Sequence, residues 1–203
     1  MNIDDWFKQI RQKYSTQMQC GKGCTACCHG LFDISLADAA DVAKGLQSLS
    51  PEVQQRVSAK AVALHSAIHD AMPELSQPTL FSEDDPRIDA IVEGANSPPC
   101  PCLGDQGECL IYEHRPLSCR LEGVPMIDTR DGLFGDWCEL NFETGLPETA
   151  SSDFVLDYDA INAGEETRST EIARRAGFAD PRAVTFIPSA IVERRFYDPT
   201  VSR

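Results

Sequence analysis

Four cysteines, Cys20, Cys24, Cys27 and Cys28, fall inside the run Cys-Gly-Lys-Gly-Cys-Thr-Ala-Cys-Cys-His-Gly. Four more, Cys100, Cys102, Cys109 and Cys119, lie in a second Gly- and Pro-bearing stretch, and Cys138 is the ninth. Thiolates gathered this densely are soft donors that select zinc, copper(I) or iron–sulfur over hard cations. A free cysteine is otherwise a small buried hydrophobe, a role that suits one or two of them but not eight in two short loops. Glycines at 21, 23 and 30 let the first loop curl and turn amide N–H groups toward sulfur. The spacings between Cys20, Cys24 and Cys27 bring three sulfurs to one centre, while the longer spacings of the second loop deliver each sulfur from its own turn. Cys102, one residue from Cys100 along an extended Pro-containing turn, is the most expendable. Cys20, Cys24, Cys27, Cys28, Cys100, Cys109, Cys119 and Cys138 remain as metal ligands, enough for two four-thiolate sites. The vicinal pair Cys27–Cys28 also permits metal exchange or a transient disulfide.

Cys-x3-Cys-x2-Cys-Cys, followed by Cys-Pro-x-Leu and by Cys-x-Ile-Tyr-Glu-x-Arg-Pro-x-x-Cys-Arg, resembles the YkgJ-like cysteine-cluster family, usually described as a zinc- or iron-chelating domain. The resemblance runs from Cys20 to about Cys138, and the family's motif cysteines map onto the eight named above. It implies a metal or cluster as cofactor rather than a particular reaction. Larger relatives of the family look like lysine methylases that use an iron–sulfur centre, which implies an iron–sulfur cluster, [4Fe–4S] in type, slightly ahead of Zn2+. The expected role is electron transfer or redox-assisted modification of a protein partner. The alternatives are a zinc-stabilised interaction module without catalysis and, more remotely, an enzyme related to those methylases, for which the chain offers no identifiable methyl-donor site. Arg115 and Arg120 around Cys119, Lys22 between Cys20 and Cys24, and Tyr112 of the motif are expected to offset thiolate charge or hydrogen-bond to sulfur; the bland alternative for the arginines is a salt bridge to Glu113 or Glu122.

Other candidates are weaker. His65 and His69 stand one helical turn apart, a spacing that can chelate a metal, but beside the apolar Leu64 and Ile68 they read as partly exposed boundary residues. His29 is an alternative ligand or a donor to sulfur, and His114 reads as a solvated residue. No Ser-His-Asp triad, P-loop or Rossmann fingerprint is present.

Composition narrows the class. Acidic residues outnumber basic ones 32 to 18, for a net charge of -14, which argues against nucleic acid and against anionic membrane surfaces. No apolar run approaches the length of a membrane span, and the acidic amphipathic N-terminus lacks a secretory signal's features. A cytoplasmic setting is expected, where clustered cysteines favour metal over disulfides. An odd count of nine also excludes complete disulfide pairing in a monomer.

The elements that must position these sulfurs are mostly helical. Ile3, Trp6, Phe7, Ile10 and Tyr14 form one helical face. Ser35-Leu36-Ala37-Asp38 reads as a capping box opening an alanine-rich helix to about Leu49. Ser50-Pro51 caps a second, whose stripe is Val53, Val57, Ala61, Leu64, Ile68, Met72 and Leu75. A short helix covers 86–93. Residues 124–127 and 133–137 flank Thr129-Arg130-Asp131-Gly132 as a β-hairpin. A helix over 158–176 stops at Gly177, and Pro188 divides the segment 183–195. The expected fold is mainly α with a small β-hairpin, an irregular cysteine-rich metal-binding core wrapped by helices. Residues 1–150 form the cysteine-cluster domain with a helical insert at about 35–96, and 151–203 form a helical extension packed on it.

Overall fold

Three helix starts in this chain are written in short polar signals, and the computed structural model, which describes residues 3–21, 23–128, 137–147 and 151–197, places helices after Ser35, Ser50 and Asp157. Helix α1 (Ile3–Lys13) carries Asp4 and Asp5 in its first turn and Arg11 and Lys13 in its last, matching the helix dipole, and buries Trp6 and Ile10. Helix α2 (Leu36–Gln47) is capped by the Ser35 hydroxyl, which accepts from the Asp38 amide. Helix α3 (Pro51–Ala71) is capped by Ser50, with Pro51 in the first turn. Helix α4 is Arg87–Gly94 and α5 is Leu117–Leu121. In α6 (Tyr158–Ala176), Asp157 caps the start and Gly177, at φ 78°, ends it in the left-handed conformation. Pro188 sits in the first turn of α7 (Ile187–Val192).

Strands are few. β1 (Asp33–Ser35) pairs antiparallel with β4 (Val184–Phe186), Ile34 opposite Thr185. β2 (Ile127–Asp128) pairs in parallel with β3 (Val155–Leu156). The mainly helical fold with a small antiparallel β element is thus present, but its strands come from opposite ends of the chain. The turn at 129–132 expected to join a local hairpin lies outside the described residues, and the described first arm pairs with β3.

Helix α2 is the hub. Leu36, Ala37, Ala39, Val42, Ala43 and Leu46 are buried, so the helix is apolar nearly all round, as a central helix must be. It packs against α6, α7 and the turn at Tyr112–His114. Gly45 permits that last approach, because a Cβ there would stand 2.7 Å from His114 Cβ. One apolar cluster joins α2, α3, α6 and α7 with Cys102 and Ile111; a second joins α1 to Leu121, Phe142 and Phe154. The cysteine loops lie where these clusters meet: Cys100, Cys109 and Cys119 pack against the first and Cys20 against the second. Among the described residues no helix is long and apolar enough to cross a membrane.

Candidate metal centre

The first cysteine loop follows α1 and is shaped by its own backbone. The Cys24 amide donates to the Gly21 carbonyl at 3.0 Å and the Cys28 amide to Thr25 at 2.9 Å, the latter closing a tight turn at Ala26–Cys28. Consecutive side chains in such a 3₁₀ turn point about 120° apart, yet the Cys27 and Cys28 thiols stay close enough to hydrogen-bond to each other. Burial raises the Cys20 thiol pKa, the amide of Asn141 opposes it, and Cys24, Cys138 and Cys27 add to the rise. The Cys28 thiol pKa is lowered by a hydrogen bond from Cys27, against burial and the charges of Cys100, Cys109 and Cys119.

Asn141 organises the first of these groups. It is 1% exposed, and its side-chain amide donates to Cys20 Sγ at 3.1 Å and to the Gly123 carbonyl. Its Oδ1 accepts from the Gln19 amide at 2.8 Å, and its own amide donates to the Cys138 carbonyl at 2.8 Å. One side chain therefore ties the Cys20 strand to the Cys138 turn. Gly123, at φ 88°, leaves the room: a Cβ there would stand 3.1 Å from Cys20 Sγ and 3.3 Å from Asn141 Nδ2.

The second loop is joined to the first through the main chain. Gly30 N–H donates to the Pro98 carbonyl and Cys100 N–H to the Cys28 carbonyl, both at 2.8 Å. A small hairpin, with Leu103 paired to Cys109 and Leu110 N–H donating to Cys102 O at 2.9 Å, then returns Cys109 beside Cys100. Cys119 comes from α5, whose first turn is capped from α2: the Leu117 amide donates to Asp38 Oδ1 at 2.9 Å. Burial pushes the Cys119 thiol up to about 12, with Cys100, Cys109, Cys27 and Asp38 adding to it. Burial also raises Cys109, against a hydrogen bond from the Ile111 amide and the nearby Arg115. The Cys27 thiol donates to Cys28, raising its own pKa and lowering that of its neighbour. Cys102, 2% exposed, stands in the same relation to Cys100.

Electrostatic influence links Cys20 with Cys24, Cys27 and Cys138, and Cys28 with Cys100, Cys109 and Cys119, while Cys27 acts on Cys28, Cys109 and Cys119 as well, so the thiols form one connected set. Among the described residues, no three cysteine sulfurs lie within 4.8 Å of one another.

The motif's polar residues brace this arrangement from outside. The Arg115 guanidinium lies 3.7 Å from the centroid of the exposed Tyr112 ring, and its Nε donates to the Tyr112 carbonyl at 3.1 Å. Arg120 Nε donates to the Arg115 carbonyl at 3.0 Å. Both arginines reach Asp4 of α1, at 3.6 and 3.4 Å, rather than the carboxylates of Glu113 or Glu122; Arg120 meets Glu113 only through its carbonyl. Lys22 lies outside the described residues. His29 is exposed and joins the loops through a backbone bridge to Pro99. His114 is partly buried against Gly45, not solvated, because α2 approaches its turn so closely. His65 is 7% exposed: α7 covers it, so it belongs to the buried stripe of α3 rather than its boundary.

Asn141, Gly123 and Asp38 were not legible as site residues. A Cys-x2-Asn pattern at 138–141 is the only local trace of Asn141's role, and its partners Gln19 and Cys20 arrive from more than a hundred residues upstream. The donor set fits a thiophilic metal or cluster: nine thiols, none in a disulfide, most of them part-buried, one carrying an amide hydrogen bond to sulfur.

Residues 19–139, more than half of the chain, match the family model CxxCxxCC, described as a "putative zinc- or iron-chelating domain". The match begins one residue before Cys20 and ends one residue after Cys138, so it spans all nine cysteines. No curated protein and no solved structure matches the chain.

Proposed function

Because the chain belongs to the CxxCxxCC family, we propose that its metal-chelating domain holds two four-thiolate centres, one on Cys20, Cys24, Cys27 and Cys138 and one on Cys28, Cys100, Cys109 and Cys119. What supports this reading is that Cys20 packs on one apolar cluster while Cys100, Cys109 and Cys119 pack on another. Cys102 is not a ligand in this scheme. Its buried thiol donates to Cys100 and keeps that sulfur ready to bind.

Iron–sulfur is the favoured occupant. A tetrahedral zinc with Zn–S bonds of ~2.3 Å holds four thiolates on one ion. A four-iron core carries each thiolate on a separate iron and accepts a wider frame. Such a core supplies one-electron transfer, and the role proposed for the protein is redox exchange with a protein partner. The chain's own residues tune the sulfurs: Asn141 donates to Cys20, Arg115 offsets charge at Cys109, and the helical shell limits water.

Anaerobic purification followed by iron, acid-labile sulfide and zinc analysis tests the reading. A brown protein with equal iron and sulfide supports it. A colourless protein with stoichiometric zinc replaces it with a zinc-stabilised interaction module.

A further inference from the structure

Away from the cysteine loops, the described residues contain one other gathering of metal-binding side chains. His65 and His69, one turn apart on α3, meet Glu193, the residue that follows α7, and one ligand atom from each lies within 4.8 Å of the others. The rings stand edge to face with centroids 4.6 Å apart. His65 Nε2 is 4.0 Å from Glu193 Oε1, while its Nδ1 is held 3.1 Å from Ser189 Oγ. His69 Nε2 lies 2.9 Å from Thr79 Oγ1. Thr79 in turn donates to both carboxyl oxygens of Glu193, through its amide at 2.8 Å and its hydroxyl at 3.2 Å.

The oddity is Glu193. Its carboxyl is 2% exposed, and among the described residues no lysine or arginine lies within salt-bridge distance of it; the one basic side chain that close is His65. Buried carboxylates are normally paired with a cation or bound to a metal. Two imidazoles and a carboxylate are a recurrent zinc set, with a fourth position left for water or a hydroxyl, and each donor here is already oriented by a hydrogen-bonded partner, as metal ligands usually are. A tetrahedral ion with ~2.1 Å bonds needs its donors about 3.4 Å apart, so the trio must close by roughly an ångström. Rotation of His69 and Glu193 about their side-chain bonds provides that movement.

We propose that His65, His69 and Glu193 bind a divalent transition-metal ion, zinc foremost, with the Thr79 hydroxyl or water as the fourth donor. The site is structural in consequence. Its histidines lie within residues 19–139 and its carboxylate outside them, so the ion clasps the C-terminal segment onto α3. It is independent of the thiolate centres, since α3, Thr79 and Glu193 contribute no cysteine.

The test is a Co2+ titration of the full chain with its thiolate centres filled as purified. Wild type is expected to take one further equivalent with visible d–d absorption free of thiolate-to-cobalt charge transfer, and to gain thermal stability as it does so. His69→Gln and Glu193→Gln, both able to keep their contacts to Thr79, are expected to bind that equivalent at least tenfold more weakly while retaining their thiolate-bound metal. If wild type shows only thiolate-bound cobalt, or if both variants match wild type, the proposal is overturned. Should either variant fail to fold, the wild-type spectrum decides alone.

Discussion

The backbone amide of Cys100 donates to the carbonyl of Cys28 across 2.8 Å, so the last cysteine of the first loop and the first cysteine of the second are joined through the main chain rather than only through what they bind. The neighbouring bond from Gly30 N–H to the Pro98 carbonyl, also 2.8 Å, makes this a two-rung bridge. The two cysteine loops are therefore held in register by the protein's own main chain. Preorganisation of this kind lowers the ordering cost that metal binding otherwise bears.

Gly30 sits in that bridge at φ 130°, a conformation open almost only to glycine. Gly30→Ala is expected to cost about 1–3 kcal/mol and to speed loss of metal to a chelator. Gly164, exposed within α6 with nothing near its missing Cβ, is the opposite case. Gly164→Ala is expected to raise stability by about 0.5–1 kcal/mol and leave chelator kinetics unchanged. Urea denaturation and chelator competition on both variants read the contrast.

Asn141 holds Cys20, Gly123 and Gln19 at once. Asn141→Leu leaves the Gln19 amide and the Gly123 carbonyl without their partner, at about 1–3 kcal/mol for each buried group. Metal bound through Cys20 should become more labile, with the other group unaffected. Loss of metal from both groups at equal rates would show that Asn141 supports the whole fold rather than Cys20.

Asp38 gives a pH signature. Its carboxyl is buried on α2, and burial holds its pKa up at about 7 against 3.8 in the free chain, despite the hydrogen bond from Leu117 and with Glu165 and Asp41 adding to the rise. The folded protein then binds more protons than the unfolded chain between those values. The stabilisation is complete below 3.8 and lost as pH rises through 7, up to about 4 kcal/mol at the limit. Asp38→Asn keeps an acceptor for Leu117 and removes the titration. Wild type should lose stability relative to this variant as pH rises from about 4 to 7, with the difference level above about pH 8, measured by denaturation of the two proteins across that range.

Asp4 is the shared partner of Arg115 and Arg120 but is itself substantially exposed. Asp4→Ala should therefore cost no more than about 1 kcal/mol, and thermal denaturation at low and high salt should find the two proteins converging as salt rises.

Local signals were legible and distant ones were not. Ser35, Ser50 and Gly177 each announce a helix end within a few residues, and each does so in the structure. The cysteine clusters stand out for the same reason. Asp38 shows where local reading stops: placed as the far half of a capping box, it instead sends its carboxyl to Leu117, seventy-nine residues on. His65 fails for a similar reason, because the helix that buries it lies more than a hundred residues downstream.

The most direct test of two separate thiolate centres uses one ligand from each, chosen away from the seam. Cys138→Ser and Cys109→Ser are purified anaerobically and their metal and sulfide contents compared with wild type. Each variant is expected to lose about half of the bound metal, and the two residual spectra should sum to that of wild type. Full retention in either variant, or complete loss in both while the fold persists, would contradict the division into two centres.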